Sequence, residues 1–114
     1  MLALLACAGL ACAHAIVLDA TPPVNATVPA GPLAIRLDFN SRIDAKRSRL
    51  ALRGPDGSDH VLTIDLTSPE ATLTSRTDVA EPGAWTVRWQ VLSVDGHITR
   101  GEIPFTVRPA GPAK

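Results

Sequence analysis

Residues 83–92 read Gly-Ala-Trp-Thr-Val-Arg-Trp-Gln-Val-Leu, and this stretch decides the fold. From Trp85 to Val91 apolar and polar residues alternate, which is the pattern of a β-strand with one face in a core. The apolar positions are Trp85, Val87, Trp89 and Val91, and the polar positions between them are Thr86, Arg88 and Gln90. The segment therefore predicts a long strand whose two tryptophans belong to the core.

Shorter segments with strand character lie along the rest of the chain, separated by turn signals such as Gly54-Pro55-Asp56-Gly57. Only residues 41–47 could form a helical turn. About seven short strands at roughly ten-residue spacing predict an all-β fold, a Greek-key β-sandwich of the immunoglobulin-like or cupredoxin-like kind. Besides residues 83–92, the expected strands are 15–19, 33–39, 49–53, 60–66, 71–77 and 103–107.

Length and charge limit the possible functions. The chain has 114 residues, which suits one domain, expected over residues 14–108 with a flexible Pro/Gly-rich tail at 109–114. Its 11 cationic and 11 acidic residues give zero net charge. This balance disfavours a nucleic-acid-binding protein or one that binds an anionic membrane surface.

Residues 1–13 are apolar, rich in small side chains and too short to span a bilayer as a helix. They predict a secretory signal peptide that ends at the cleavage motif Ala11-Cys12-Ala13, and hence an exported, periplasmic protein. No basic residue precedes the apolar run, which suggests that the true start lies further upstream.

Both cysteines, Cys7 and Cys12, lie in this leader, so cleavage after Ala13 would leave no disulfide and no thiolate ligand. A second reading stays open. Leu4-Leu5-Ala6-Cys7 resembles a lipoprotein box, and acylation at Cys7 would leave His14 inside the chain rather than at its start.

His14 follows the predicted cleavage point directly. As a first residue it would offer an α-amino nitrogen and an imidazole nitrogen, and both can bind one ion near neutral pH. Cu²⁺ stands highest in the affinity order for such nitrogen ligands and favours square-planar sites. Taken alone, the same histidine could be an ordinary solvated chain end.

The segment Ser93-Val94-Asp95-Gly96-His97 follows the strongest strand. Asp-Gly is a turn signal, so Asp95 and His97 are expected on a loop at the edge of the sandwich, with side chains able to point the same way. The alternative is a plain hairpin turn with an incidental histidine.

With these segments the sequence resembles the CopC family of periplasmic copper-binding proteins. The resemblance rests on residues 14–23, 37–41 and 83–97, followed by Gly101 and the last strand around Phe105. It implies a β-sandwich with one Cu²⁺ per chain, and a role in copper resistance or uptake beside a CopD-type membrane protein. The ligands that it implies are His14, Asp95 and His97.

The sequence departs from that family at two points. Many members carry a glutamate where this chain has Ser41, which removes a carboxylate from the expected site. Some members bind Cu⁺ through a methionine-rich segment, but this chain has no methionine after Met1, which excludes a thioether Cu⁺ site. His60 has no assigned counterpart and is expected on the surface, with an auxiliary ligand role as the alternative.

The favoured function is therefore a periplasmic Cu²⁺ carrier or buffer, without enzymatic activity and without an organic substrate. A metal-free β-sandwich interaction module is the first alternative. A mononuclear copper enzyme that activates oxygen is the second, since an amine with two histidines also serves oxidative polysaccharide-cleaving enzymes. The absence of tyrosine from the sequence argues against that enzyme.

Overall fold

The structure, a computed structural model, describes residues 15–110. Within that range no helix is long and apolar enough to cross a membrane. The one helical element described is the 3₁₀ turn Ala45–Arg47, inside the segment predicted to make a helical turn. The eight strands are β1 (Val17–Thr21), β2 (Thr27–Pro29), β3 (Gly31–Phe39), β4 (Arg49–Arg53), β5 (Asp59–Leu62), β6 (Thr72–Val79), β7 (Gly83–Leu92) and β8 (Ile98–Arg108).

The strands form a three-stranded sheet in the order β1-β3-β6 and a five-stranded sheet in the order β2-β8-β7-β4-β5. All pairs are antiparallel except β2 with β8. The chain changes sheet between β1 and β2, between β2 and β3, again before β4, and twice more around β6. The predicted all-β sandwich is confirmed.

One hydrophobic core joins the inner faces of the two sheets. Every second residue of β7 and β3 is buried, as the alternation predicts, because side chains of a strand point to opposite faces in turn. The ring of Phe39 from one sheet meets the indole of Trp89 from the other edge to face, with centroids 5.3 Å apart and planes at 72°. Trp85 and Trp89 are 8% and 9% exposed, so the prediction that both are core residues is confirmed.

Gly101 on β8 makes room for Trp89, its cross-strand neighbour on β7. A Cβ atom at Gly101 would lie 2.6 Å from Cε2 of the indole, closer than real Cβ contacts. The tryptophan can therefore lie flat over β8 only because position 101 has no side chain.

The largest differences from the sequence expectation are in β2, a strand that was not expected, in β8, which begins at Ile98 rather than at residue 103, and in β5. β2 forms within the proline-rich stretch, at the edge of its sheet, where the missing N–H group of Pro29 is tolerated. β5 ends at Leu62, before residues 63–66 that were expected to continue it. The side chain of Asp65 accepts hydrogen bonds from the N–H (2.9 Å) and hydroxyl (2.6 Å) of Thr67, and this local turn ends the extended run.

Candidate metal centre

The loop Ser93–His97 joins β7 to β8 and closes tightly on itself. The N–H of Ser93 donates to the carbonyl of His97 at 2.8 Å, and the N–H of Gly96 donates to the carbonyl of Ser93 at 2.9 Å. Gly96 has φ of 95°, a left-handed conformation that glycine adopts without strain. The Asp-Gly signal thus places Asp95 and His97 at the tip of a rigid hairpin.

The structure brings the side chains of Asp95 and His97 together. Oδ1 of Asp95 lies 3.2 Å from Nδ1 of His97, and both side chains are 51% exposed. The backbone N–H of His97 also donates to this oxygen, at 3.2 Å. The hydrogen bond from the His97 side chain, followed by that from its backbone, lowers the pKa of Asp95. The carboxylate is therefore ionised at neutral pH, as a metal ligand must be.

This pair fits part of a metal site but does not complete one. Two donors about 2 Å from one ion, at adjacent corners of a square plane, are about 2.8 Å apart. The Asp95–His97 separation of 3.2 Å is close to that value. Within residues 15–110 no group of three or more His, Cys, Asp or Glu side chains could hold a metal.

His14 is the predicted third residue, and it lies outside the described residues, as do the leader 1–13 with Cys7 and residues 111–114 of the tail. The two residues after His14 in the sequence are buried or hydrogen-bonded to the rest of the fold. Ala15 is 2% exposed. The N–H of Ile16 donates to Oδ1 of Asn40 at 2.8 Å, and the N–H of Asn40 donates to the carbonyl of Ile16 at 3.0 Å. This double contact fastens residue 16 to the end of β3.

Residues 40–43, which we call the bridging segment, also bind the loop Ser93–His97. The N–H of Val94 donates to the carbonyl of Arg42 at 3.2 Å, and Ile43 forms a β-bridge with Ser93. One segment of four residues thus contacts the start of the described chain and the base of the loop. Asp95 and His97 lie at the same end of the sandwich as Ile16.

Ser41 stands in the middle of the bridging segment, half-buried, at the position where the family resemblance places a glutamate. The neighbouring carboxylates are already paired: Asp44 with Arg47 and Glu70 with Arg42, both at 2.8 Å. Asp44 and Glu70 thus pair with arginines, whereas Asp95 pairs with a histidine.

His60 lies far from this loop, on the exposed edge strand β5. It is in register with Leu52 on β4, which is in register with Val87 on β7. Val87 is five residues before Leu92, the last residue of β7, so His60 is level with a point about 17 Å along the sheet from the loop. Its Nε2 is 3.4 Å from the hydroxyl of Ser58. The surface position expected for His60 is what the structure shows.

Asn40 is a residue of this site that sequence reasoning did not single out. It appeared only as part of the segment Leu37–Ser41 that resembles the family. The available signal was a polar Asx residue directly after the last apolar position of a strand, where such side chains bind backbone groups. Its partner Ile16 is 24 residues away, and no local pattern identifies it.

Comparison with known proteins places the chain in a family. The family model of the CopC domain matches residues 17–108. Protein YobA of Escherichia coli K12 and that of Shigella flexneri are each 34% identical over 100 residues, covering 84% of this chain and 80% of the relative.

Solved structures with the same architecture agree. The crystal structure of CopC from Methylosinus trichosporium OB3b superposes with a TM-score of 0.75 at 26% identity, over 89% of this chain and all (100%) of that one. PcoC, a methionine-rich copper resistance protein from Escherichia coli, shares the fold with a TM-score of 0.62 at 23% identity, over 83% of this chain and 99% of its own. The resemblance seen in the sequence is thereby confirmed, and the chain belongs to the CopC family.

Proposed function

We propose that this protein binds one Cu²⁺ ion as cargo through His14, Asp95 and His97, and that it carries or buffers copper in the periplasm. The observation that carries the proposal is the pairing of Asp95 with His97 at 3.2 Å, on a loop joined through the bridging segment to the backbone of Ile16. Ile16, whose backbone is bound to that segment, is two residues after His14 in the sequence.

The donor chemistry favours Cu²⁺ over Cu⁺. The imidazole and α-amine of His14, the imidazole of His97 and the carboxylate of Asp95 are nitrogen and oxygen donors, which suit divalent copper in a tetragonal site. Thioether ligands suit Cu⁺, and PcoC is described as methionine-rich. This chain has one methionine, Met1. We therefore expect no Cu⁺ site built on methionine.

A carrier is favoured over a copper enzyme by the placement of the aromatic side chains. The sequence has two tryptophans, two phenylalanines and no tyrosine. All four rings lie in the core, between 2% and 9% exposed, so none forms a platform for a sugar. A depression of about 600 Å³ lies beside the loop, lined by Val94 and Gly96 but not by Asp95 or His97. The donors are thus presented on the surface, which suits the passing of an ion.

Export is part of the proposal, because only cleavage after Ala13 creates the amine of His14. The natural recipient or donor of the ion would be a CopD-type membrane protein, as the family resemblance implies. Acylation at Cys7 would instead leave His14 internal, and a metal-free interaction module would then be the better account. Intact mass and N-terminal sequencing of the exported protein distinguish a start at His14 from a lipidated Cys7.

The decisive experiment is a competitive Cu²⁺ titration of protein that starts at His14, beside the same protein with its α-amine acetylated. We expect acetylation to weaken binding at least about 100-fold, because the blocked nitrogen can no longer close a chelate ring with the imidazole of the same residue. His97→Ala should weaken binding as well, while His60→Ala, the matched histidine control, should leave it unchanged. Equal affinity of the two N-terminal forms would overturn the proposed ligand set.

A further inference from the structure

Although the net charge of the chain is zero, the outer face of its five-stranded sheet is cationic. The outer face of the five-stranded sheet carries five arginines and two carboxylates. The whole chain has 11 cationic and 11 acidic residues, so acidic residues exceed cationic ones by three in the rest of the chain. These side chains point outward because they alternate with buried residues along their strands. The arginines are Arg49, Arg53, Arg88, Arg100 and Arg108, and the carboxylates are Asp59 and Glu102.

The two carboxylates neutralise only one part of this face. Asp59 lies 3.0 Å from both Arg53 and Arg88, and Arg88 also pairs with Glu102 at 3.1 Å. Neither Arg49 nor Arg100 makes an ion pair within residues 15–110. Arg108, at the end of β8, makes none either, so three of the five guanidinium groups on this face lack an ion-pair partner among the described residues.

Arg49 and Arg100 belong to one row across the sheet. Gln90 on β7 is in register with Arg49 on β4 and with Arg100 on β8. Since neighbouring strands are about 4.8 Å apart, the two arginine Cα atoms are about 10 Å apart, with Gln90 between them. Nε of Arg100 donates to Oε1 of Gln90 at 2.7 Å, which orients the guanidinium on the sheet.

The row borders a shallow depression of about 440 Å³, whose wall on the other side is the ion pair of Arg88 with Glu102. Its floor includes Ala51, a small residue on the outer face of β4, while Gly101 lines it only through backbone atoms, because its side-chain position faces Trp89 in the core. The short Ala51 side chain between long arginines leaves space in which a side chain of another molecule can reach both guanidinium groups.

We propose that Arg49, Gln90 and Arg100 form a docking site for an acidic segment of a partner protein, with the two guanidinium groups binding carboxylates of that segment. The choice of a protein partner rests on the residue type. Every cation of this face is arginine, which is enriched in protein interfaces where lysine is depleted, and its planar fork pairs with a carboxylate through two hydrogen bonds. Five strands make a face about 20 Å across, wide enough for such an interface.

The test uses the mature chain and an acetylated, amidated peptide Glu-Gly-Glu-Gly-Glu, followed by ¹H–¹⁵N NMR titration. We expect shifts of the backbone amides at 49–51, 88–90 and 100–102, and no comparable shifts with the peptide in which glutamine replaces each glutamate. The variant Arg49→Gln/Arg100→Gln should weaken binding at least about tenfold, because each lost guanidinium removes charge-assisted hydrogen bonds.

The matched control is Arg36→Gln/Arg76→Gln, which removes the same charge from exposed positions on β3 and β6 of the other sheet. It should change the peptide affinity less than about twofold. Equal weakening by both double variants, or equal binding of the glutamine peptide, would overturn the proposal. It would also be overturned if inorganic phosphate at equal concentration displaced the peptide, if vesicles with phosphatidylglycerol bound the face instead, or if the face mediated self-association in sedimentation.

Discussion

At the scale of single residues, two hydroxyl groups in this sandwich differ in whether they have a hydrogen-bond partner, and this difference should affect stability. Ser75 is 5% exposed, and its hydroxyl donates to the carbonyl of Thr63 at 2.6 Å, which ties β6 to the chain that leaves β5. Thr99, opposite Val91 in the β7–β8 pair, has a buried hydroxyl without a partner in the described part of the chain. A buried polar atom without a partner loses its hydration and gains nothing in return.

Ser75→Ala should therefore lower the free energy of unfolding by about 1 kcal/mol. Thr99→Val, which keeps the branched shape and removes the unpartnered hydroxyl, should leave stability unchanged or raise it. Urea denaturation followed by tryptophan fluorescence measures both. A loss in Thr99→Val as large as that in Ser75→Ala would show that the threonine hydroxyl does have a partner.

At the scale of elements, β7 and β8 pack closely through the contact between a tryptophan and a glycine. Trp89 covers Gly101 on the neighbouring strand and meets Phe39 of the other sheet with its edge-to-face contact. The indole is rigid and enclosed on both sides, so it cannot move aside without disturbing the core. The same hairpin presents the candidate metal ligands at its tip and Arg100 on its outer face.

Gly101→Ala should consequently cost about 1–3 kcal/mol of stability, the usual range for overpacking a core. The loss should be smaller in a Trp89→Phe background, where the second ring of the indole is absent, and a double-mutant cycle measures that difference. Gly54→Ala is the control, because a Cβ atom there would lie 3.5 Å from Trp85, an ordinary contact distance. If the cost of Gly101→Ala were the same in both backgrounds, the clash with Trp89 would not be its cause.

At the scale of the whole molecule, hydrogen bonds and ion pairs favour the ionised form of several surface aspartates in the folded state. A hydrogen bond from Thr72, followed by one from Arg36, lowers the pKa of Asp38. Hydrogen bonding from Arg53 likewise lowers the pKa of Asp59. A group whose pKa is lower in the folded state than in the unfolded chain stabilises the fold while it is ionised. That stabilisation is present above the unfolded value of about 3.9 and is lost as the pH falls through the folded value.

The free energy of unfolding should therefore decrease as the pH falls below about 5, and Asp38→Asn should flatten that decrease. Thr72→Val removes the hydrogen bond that lowers the pKa of Asp38 most, and it should flatten the profile in the same sense. Urea denaturation at a series of pH values between 3 and 7 gives the slopes. An unchanged slope in Asp38→Asn would show that this carboxylate does not contribute to the acid sensitivity.

The sequence alone determined which strand faces are buried in the core and which polar side chains lie at the tip of the β7–β8 hairpin. Alternation over residues 33–39 and 85–91 identified the buried faces, because a strand of period two can bury only one side in a two-layer fold. Asp95-Gly96 identified the turn, because the left-handed conformation there needs glycine. Asp95 and His97 were named from that pattern and lie together in the structure. Their role as ligands with His14 stays a prediction.

Only the tertiary structure decided which parts of the chain meet. Asn40 holds Ile16, and Arg42 holds Val94 at a distance of 52 residues along the chain. The row of Arg49 and Arg100 likewise combines strands from distant parts of the sequence. Hydrogen bonds between strands join backbone groups that every residue carries, so no local pattern specifies the partner. The partner of each strand is fixed only when the apolar faces of the two sheets pack against each other around one core.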